Sequence, residues 1–334
     1  MSDTPPRGFV GLRDPKPAWL KVKAPSGERY TSLKSTFRKL ELNTVCEEAR
    51  CPNVGECWGA GTATVMILGH TCTRGCRFCA VRTGNPRGMV DPREPEHVGR
   101  ALASIGLRYV VLTMVDRDDL LDGGAAHVAE TIRSLRRHQP DLLVEALVGD
   151  FGARTRDLDV VLGAAPDVFA HNVEVVRRLT PSIRDPRSGY EQSLAVLRHA
   201  KAHGAARLVK SSLMVGLGES DAEVEETLGD LAAAGVDVLT LGQYLRPTPK
   251  HAPVERYVEP ERFQAWAELG KTLGFAFVAS GALVRSSYHA AEAFALAELG
   301  GHAQNGGSPA PAGSPTADFV PVARLRRPAA DACD

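Results

Sequence analysis

Short apolar runs alternate along this chain with longer stretches in which apolar positions recur every three or four residues. The runs fall at 63–68, 108–113, 142–148, 167–171, 207–215 and 236–241. Their length and their Val, Leu and Ile content predict strands buried on both faces. Amphipathic stretches follow near 95–105, 124–138, 154–163, 190–203, 221–234 and 260–273, and these predict helices. A seventh short strand is expected at 275–279. Such alternation implies parallel strands joined by crossover helices. Six units predict an α/β barrel, complete or partial, with a doubly wound open sheet as the competing topology. In a barrel the chemistry belongs at the carboxyl ends of the strands.

The flanks read differently. Residues 1–40 carry Pro5, Pro6, Pro15, Pro17 and Pro25, which predicts an extended arm with one short helix around 32–42. Residues 301–334 are rich in Gly, Ala, Pro and Ser, as disordered tails are. No internal repeat is present. The expected division is an N-terminal arm and cluster segment over 1–60, a barrel over 61–290 and a tail over 291–334.

Composition narrows the function classes. Of 334 residues, 43% are hydrophobic and 24% charged, which excludes a wholly disordered chain. Forty basic residues balance forty acidic ones, an argument against a nucleic-acid partner. No apolar run is long enough for a transmembrane helix, so no membrane association is expected. Met1 to Lys23 lacks an apolar core, which predicts no secretory signal and a cytoplasmic location. There are seven cysteines, six of them between Cys46 and Cys79. That crowding in a long chain points to metal ligation in a reducing compartment rather than to disulfides.

Cys72, Cys76 and Cys79 read CxxxCxxC directly after the first predicted strand. Thiolates are the ligands of iron–sulfur clusters, and a cubane takes one per iron. Three thiolates leave the fourth iron open to a small molecule. The competing reading is a structural zinc ion with His70 as fourth ligand, although zinc ligands usually come as two separated pairs. Cys46, Cys51 and Cys57 read CxxxxCxxxxxC upstream of that strand and imply a second centre, since one cubane cannot use six thiolates. Pro52 and Gly55 suit a loop folded round it. A zinc knuckle or surface thiols are the alternatives. Asp116, Arg117, Asp118 and Asp119 read as a solvated charged loop. Asp118 or Asp119 is a candidate for shaping a pocket.

The CxxxCxxC spacing after a first strand resembles the radical S-adenosylmethionine (SAM) superfamily. The wider set, VCEEARCPNVGECW followed by GHTCTRGCRFCAV, resembles the lipoyl synthase family within it. Further matches are LRYVVLTMVDRDDLLDGG (107–124), VFAHNVE (168–174), LMVGLGES (213–220), LTLGQYLRPT (239–248) and GALVRSSYHA (281–290). Together they span about residues 15 to 290. The resemblance implies a partial (β/α)6 TIM-like barrel with an N-terminal cluster-binding extension. It also implies two 4Fe-4S clusters and SAM, and insertion of two sulfur atoms at carbons six and eight of a protein-bound octanoyl-lysine. Cys72, Cys76 and Cys79 would hold the SAM cluster. Cys46, Cys51 and Cys57 would hold the sulfur-donating one, closed by a serine of Arg285-Ser286-Ser287-Tyr288, with Ser287 favoured over Ser286. A serine oxygen is a weak match to soft iron, which suits an iron that must be released. Gly123, Gly124, Asn172, Glu174, Gly216 and Glu219 are the expected SAM contacts. Each also has a plain structural reading as a turn or a strand-end loop.

The implied partners are octanoylated lipoyl carrier domains (E2 subunits of 2-oxoacid dehydrogenases and the glycine cleavage H protein), a flavodoxin or ferredoxin electron donor, and an iron–sulfur carrier. Gly149 and Ala282 stand where the family usually has Pro, changes expected to touch loop stiffness. Ala170 stands where Asn is usual. Cys333 reads as a tail thiol. A two-cluster methylthiotransferase and a non-enzymatic electron carrier are the competing functions.

Overall fold

The computed structural model describes residues 15–21, 28–39, 44, 63–287 and 298. Seven strands form one sheet: β1 Ala63–Ile67, β4 Tyr109–Met114, β5 Leu143–Leu147, β6 Val168–Ala170, β7 Leu208–Val215, β8 Val238–Gln243 and β9 Phe277–Gly281. Two short strands, β2 Thr71–Cys72 and β3 Arg82–Thr83, pair in parallel beside it. The seven run in sequence order across the sheet, and every pair is parallel. A doubly wound sheet reverses its strand order at a switch point; this one does not. Among the described residues β1 and β9 remain as two edges, so the arrangement is a partial barrel.

The expected strands and helices fall within a few residues of the observed ones. The exception is the first helix, which spans Glu28–Lys39 and so lies ahead of the expected 32–42. Arg38 and Lys39 sit in its last turn, where cations complement the partial negative charge of a helix end. Its Phe37 is wholly buried and joins the core.

Alternation along the strands sorts side chains into two layers. Val110, Leu112, Val144, Ala146, Phe169, Val209, Leu213, Leu239 and Leu241 join the core shared with the outer helices. The intervening Tyr109, Val111 and Val168 pack with Leu143, Leu147 and Leu208 inside the barrel. A buried ion pair lies in that inner layer. The Lys210 ammonium donates to both Glu145 oxygens at 2.8 Å, and the Tyr109 hydroxyl donates to the same carboxylate at 2.6 Å. Thr44 forms an antiparallel bridge to Val65 and so covers part of the open β1 edge.

Side-chain exposure is 3% for Lys210 and 0% for Glu145, so removing either partner strands a charge in a low-dielectric interior. Lys210→Met is expected to cost about 3–5 kcal/mol, and the paired change Lys210→Met with Glu145→Leu to recover most of it. Denaturant midpoints of the two variants check this. Equal losses would show that packing, and not the stranded carboxylate, sets the cost.

Candidate metal centre

Because every strand is parallel, the loops after β1, β4, β6, β7 and β9 share one rim of the barrel. The sequence candidates within the described residues fall on those loops. The chain leaves β1 through Leu68 and Gly69, both at positive φ (67° and 88°), and turns into β2. Cys72 lies in β2, while Cys76 and Cys79 lie on the loop before β3. That loop is held along its length by backbone bonds. Thr73 N donates to Asp116 O (2.9 Å), Arg77 N to Ile183 O (2.8 Å), Ala252 N to Arg77 O (2.8 Å) and Gly84 N to Cys72 O (2.9 Å). The His251 ring nitrogen Nε2 lies 3.0 Å from Cys79 O.

The three thiols are half-buried, and none is in a disulfide. Two have backbone donors aimed at sulfur: Arg74 N–H to Cys72 Sγ at 3.4 Å and Asp185 N–H to Cys76 Sγ at 3.3 Å. Burial pushes the Cys79 thiol up to about 12. Burial and then the Asp116 carboxylate push Cys72 up to about 11, and burial also raises Cys76. The site therefore favours neutral thiols until a cation arrives to offset the charge. Among the described residues no three His, Cys, Asp or Glu side chains converge as one ion would require. The exposed His70 joins no such set. Three soft sulfurs on one loop, two of them with N–H donors, fit a cubane that takes each thiolate on a different iron.

Arg74 anchors the loop. Its five N–H donors all find acceptors: Nε bonds Asp118 Oδ2 (3.1 Å), Nη1 bonds Asp150 Oδ2 (2.6 Å) and Ser188 Oγ (3.2 Å), and Nη2 bonds Asp118 Oδ1 (2.9 Å) and Asp150 Oδ1 (2.7 Å). Asp116 adds a third carboxylate at 3.7 Å. Burial pushes the Asp116 carboxyl up to about 6, against the pull of Arg74 and with the push of Asp150 and Asp118. A second brace comes from Asp185, whose carboxylate accepts from Gly75 N (2.8 Å) and from Arg187. Arg187 in turn donates to Thr73 O at 2.6 Å. Arg184, Ser193 and His171 form a buried chain behind this segment. Arg184 donates to Ser193 Oγ at 2.8 Å, and the His171 ring bridges Ser193 Oγ and Val148 O at 2.9 Å each. Burial holds His171 down to about 4, a neutral ring.

The charged loop at 116–119 is not the solvated surface expected of it. Arg117 is buried, with its guanidinium on Asp119, Leu68 O and Met89 O. Asp118 and Asp116 pair with Arg74 while keeping part of their surface in water. Gly149 carries more than loop stiffness, because a Cβ there would lie 2.2 Å from Asp116 Oδ1. Neither Arg74 nor Asp185 stood out in the sequence; the sole signal was an Arg inside the cysteine motif.

The other candidates take definite places. Gly123 and Gly124 form a left-handed turn after β4, and a Cβ on Gly124 would meet Leu68 Cδ1 at 2.5 Å. Asn172 and Glu174 follow β6, with Asn172 Nδ2 donating to Glu174 Oε1 at 3.1 Å. Burial raises the Glu174 carboxyl. Gly216 follows β7, and Glu219 folds back to accept from Gly216 N (2.6 Å) and Leu217 N (2.9 Å). Ser286 and Ser287 follow β9 and are half-buried. Cys46, Cys51 and Cys57, and the tail with Cys333, lie outside the described residues.

A partial α/β barrel with a CxxxCxxC loop after its first strand defines a radical SAM protein. The family profile described as the radical SAM superfamily matches residues 66–231. Methylornithine synthase shares the fold at a TM-score of 0.51 and 15% identity, over 75% of this chain and 81% of that one. HydG, a maturase of the FeFe-hydrogenase, does so at 0.51 and 12%, over 65% and 51%. The profile for the N-terminal domain of lipoyl synthase matches residues 10–51. The lipoyl synthase of Sorangium cellulosum is 62% identical over 86% of this chain and 82% of its own length. That of Thermus thermophilus is 60% identical over 84% and 86%. A chloroplastic lipoyl synthase of Arabidopsis thaliana is 54% identical over 86% and 74%. The chain belongs to the lipoyl synthase family. Membership implies a 4Fe-4S cluster and SAM, and sets the electron-carrier and methylthiotransferase readings aside.

Two outcomes follow from this geometry. Arg74→Met removes the cation from three carboxylates and is expected to cost about 3–5 kcal/mol and to lower iron uptake. Arg74→Lys, which keeps the charge but loses the fork, recovers only part; thermal midpoints and iron assays report both. In iron-free protein Cys72 and Cys79 should alkylate at pH 8 more slowly than free cysteine, because the thiolate is the reactive form. Their rates should climb toward pH 11, as followed by mass spectrometry of the modified peptides. Fast labelling at pH 8 would refute the raised thiol values.

Proposed function

We propose that this chain inserts two sulfur atoms, at carbons six and eight, into an octanoyl group held as an amide on a lysine of a lipoyl carrier domain. One observation carries the reading. The CxxxCxxC thiols sit at the barrel rim, half-buried and with backbone donors on two sulfurs, in a chain 62% identical to a lipoyl synthase. Carbons six and eight bear no acidic hydrogen and no leaving group. General acid–base catalysis, worth about 10²–10⁴-fold, does not activate such bonds; a cofactor must. When bound, the cluster supplies the electron that cleaves SAM to a 5′-deoxyadenosyl radical.

The protein's share is holding and shielding. Cys72, Cys76 and Cys79 bind the SAM cluster. Arg74 and Asp185 fix their loop and place N–H groups on its sulfurs, which tunes such centres through their hydrogen bonding. Asn172 and Glu174 offer polar groups to SAM at the β6 end. Gly123 and Gly124 bring backbone close, and Glu219 shapes the Gly216 turn by occupying its amides. Cys46, Cys51 and Cys57 with Ser287 hold the second 4Fe-4S cluster as sulfur donor. The chain divides as 1–60, 61–290 and 291–334 for these tasks.

Substrates on this reading are octanoylated E2 subunits and the glycine cleavage H protein. Flavodoxin or ferredoxin delivers the electrons, and an iron–sulfur carrier renews the donor cluster. No helix among the described residues is long and apolar enough to cross a membrane. We place the protein in the cytoplasm.

Anaerobically reconstituted protein, given SAM, dithionite and an octanoyl-lysine peptide, should yield a dithiol product heavier by two sulfurs, which loses two further hydrogens only when air-oxidised to the disulfide, with 5′-deoxyadenosine. Cys46→Ala should still form 5′-deoxyadenosine but no sulfur-bearing product. Lipoyl product from iron-free protein, or from Cys46→Ala, would overturn the proposal.

A further inference from the structure

β8 carries a glycine where a second piece of backbone comes down on it. Val238, Thr240 and Gly242 alternate with Leu239 and Leu241. The two leucines face the helices, so Gly242 faces the barrel interior near the mouth. A Cβ built on Gly242 would lie 2.0 Å from the Val284 carbonyl oxygen, 3.0 Å from its carbonyl carbon and 3.4 Å from Arg285 Nη1. No side-chain rotation relieves a contact with a carbonyl. A glycine inside a strand weakens it, and its usual reason is close approach by another backbone. The positive-φ reason does not apply, because Gly242 is absent from the residues with positive φ.

The segment that lands there is the one bearing Arg285, Ser286 and Ser287. After β9 the chain turns back, with Val284 N donating to Gly281 O at 3.0 Å. Gly281 is the in-register neighbour of Gly242 on β9. The Arg285 guanidinium folds onto its own segment, donating to Val284 O at 2.6 Å. Two glycines side by side on the last two strands therefore leave a notch in the barrel wall. The Val284 carbonyl sits in that notch, and Val284 itself is buried.

We infer that Gly242 is the positioning residue for the serine-bearing segment: by lacking a side chain it seats the Val284 carbonyl against β8 and so sets where Ser287 stands at the mouth of the barrel. The inference rests on the reading of Ser287 as a ligand of the second cluster. It assigns to β8, a strand with no cysteine, a part in building that cluster's site. It also makes a sharp distinction between the two glycines. A Cβ on Gly281 would meet Val284 Cγ2 at 3.4 Å, an ordinary contact with a movable methyl.

The test compares Gly242→Ala and Gly281→Ala in the full chain, reconstituted anaerobically. Gly242→Ala is expected to raise amide exchange at Val284 about tenfold or more, while Gly281→Ala leaves it within about twofold. In Gly242→Ala about four of about eight irons should become labile to a chelator, with 5′-deoxyadenosine formation retained and sulfur insertion lost. Wild-type exchange and wild-type iron retention in Gly242→Ala would overturn the inference, as would equal effects from both glycines. If Gly242→Ala does not fold, Gly242→Ala with Val284→Gly gives the displaced carbonyl backbone freedom; folded protein with unchanged exchange over 282–287 would then overturn it. A wild-type protein lacking a second cluster would defeat the role of Ser287 and not the seating of Val284, which the exchange data report separately.

Discussion

A buried guanidinium organises this protein. Arg74 lies inside the cysteine motif and is nearly sealed from solvent (5% exposed), and a charge in that position is tolerated only if it is paired and hydrogen-bonded. Its partners come from three other places: Asp116 and Asp118 after β4, Asp150 after β5, and Ser188 before the helix Tyr190–His203. Satisfying one side chain therefore requires four segments to meet. The cysteine loop is long and has only two residues of strand at each end. The clamp therefore adds to the backbone bonds and the Asp185 brace that hold the loop.

The rim built around that clamp is asymmetric in a useful way. Cysteines at the β1 end face loops that supply N–H donors and carboxylates, so the sulfurs are desolvated and close to negative charge. That setting disfavours a bare thiolate and suits ligands that ionise only when iron binds. Among the described residues the sheet does not close. Thr44, just ahead of Cys46, bridges to β1; the serine-bearing turn leaves β9 and is seated on β8.

Much of this was legible in the chain itself. Seven parallel strands were readable because each is a short Val, Leu and Ile run with a helical period behind it. The CxxxCxxC loop was readable because the ligand spacing is local. The charged loop 116–119 was misread. Four charged residues in a row look solvated; what buries Arg117 is its own pair with Asp119 and the carbonyls of Leu68 and Met89, and what holds Asp116 and Asp118 is the distant Arg74. The double glycine at 123–124 was recognised as a place, but its close contacts are with Leu68 and Phe151, far from it along the chain; Glu219, by contrast, bonds amides two and three residues before it.

The division has a physical cause. Period, turn chemistry and ligand spacing are properties of neighbours in sequence, so the α/β class and the spacing of both cysteine triplets were legible there, whereas the strand order that separates a barrel from a doubly wound sheet was not. Whether a charge is buried, which carboxylates share one guanidinium, and why Gly242 must lack a side chain depend on the meeting of segments that lie tens of residues apart in the chain. Those meetings exist only after the sheet has curved, and only the tertiary structure decided them.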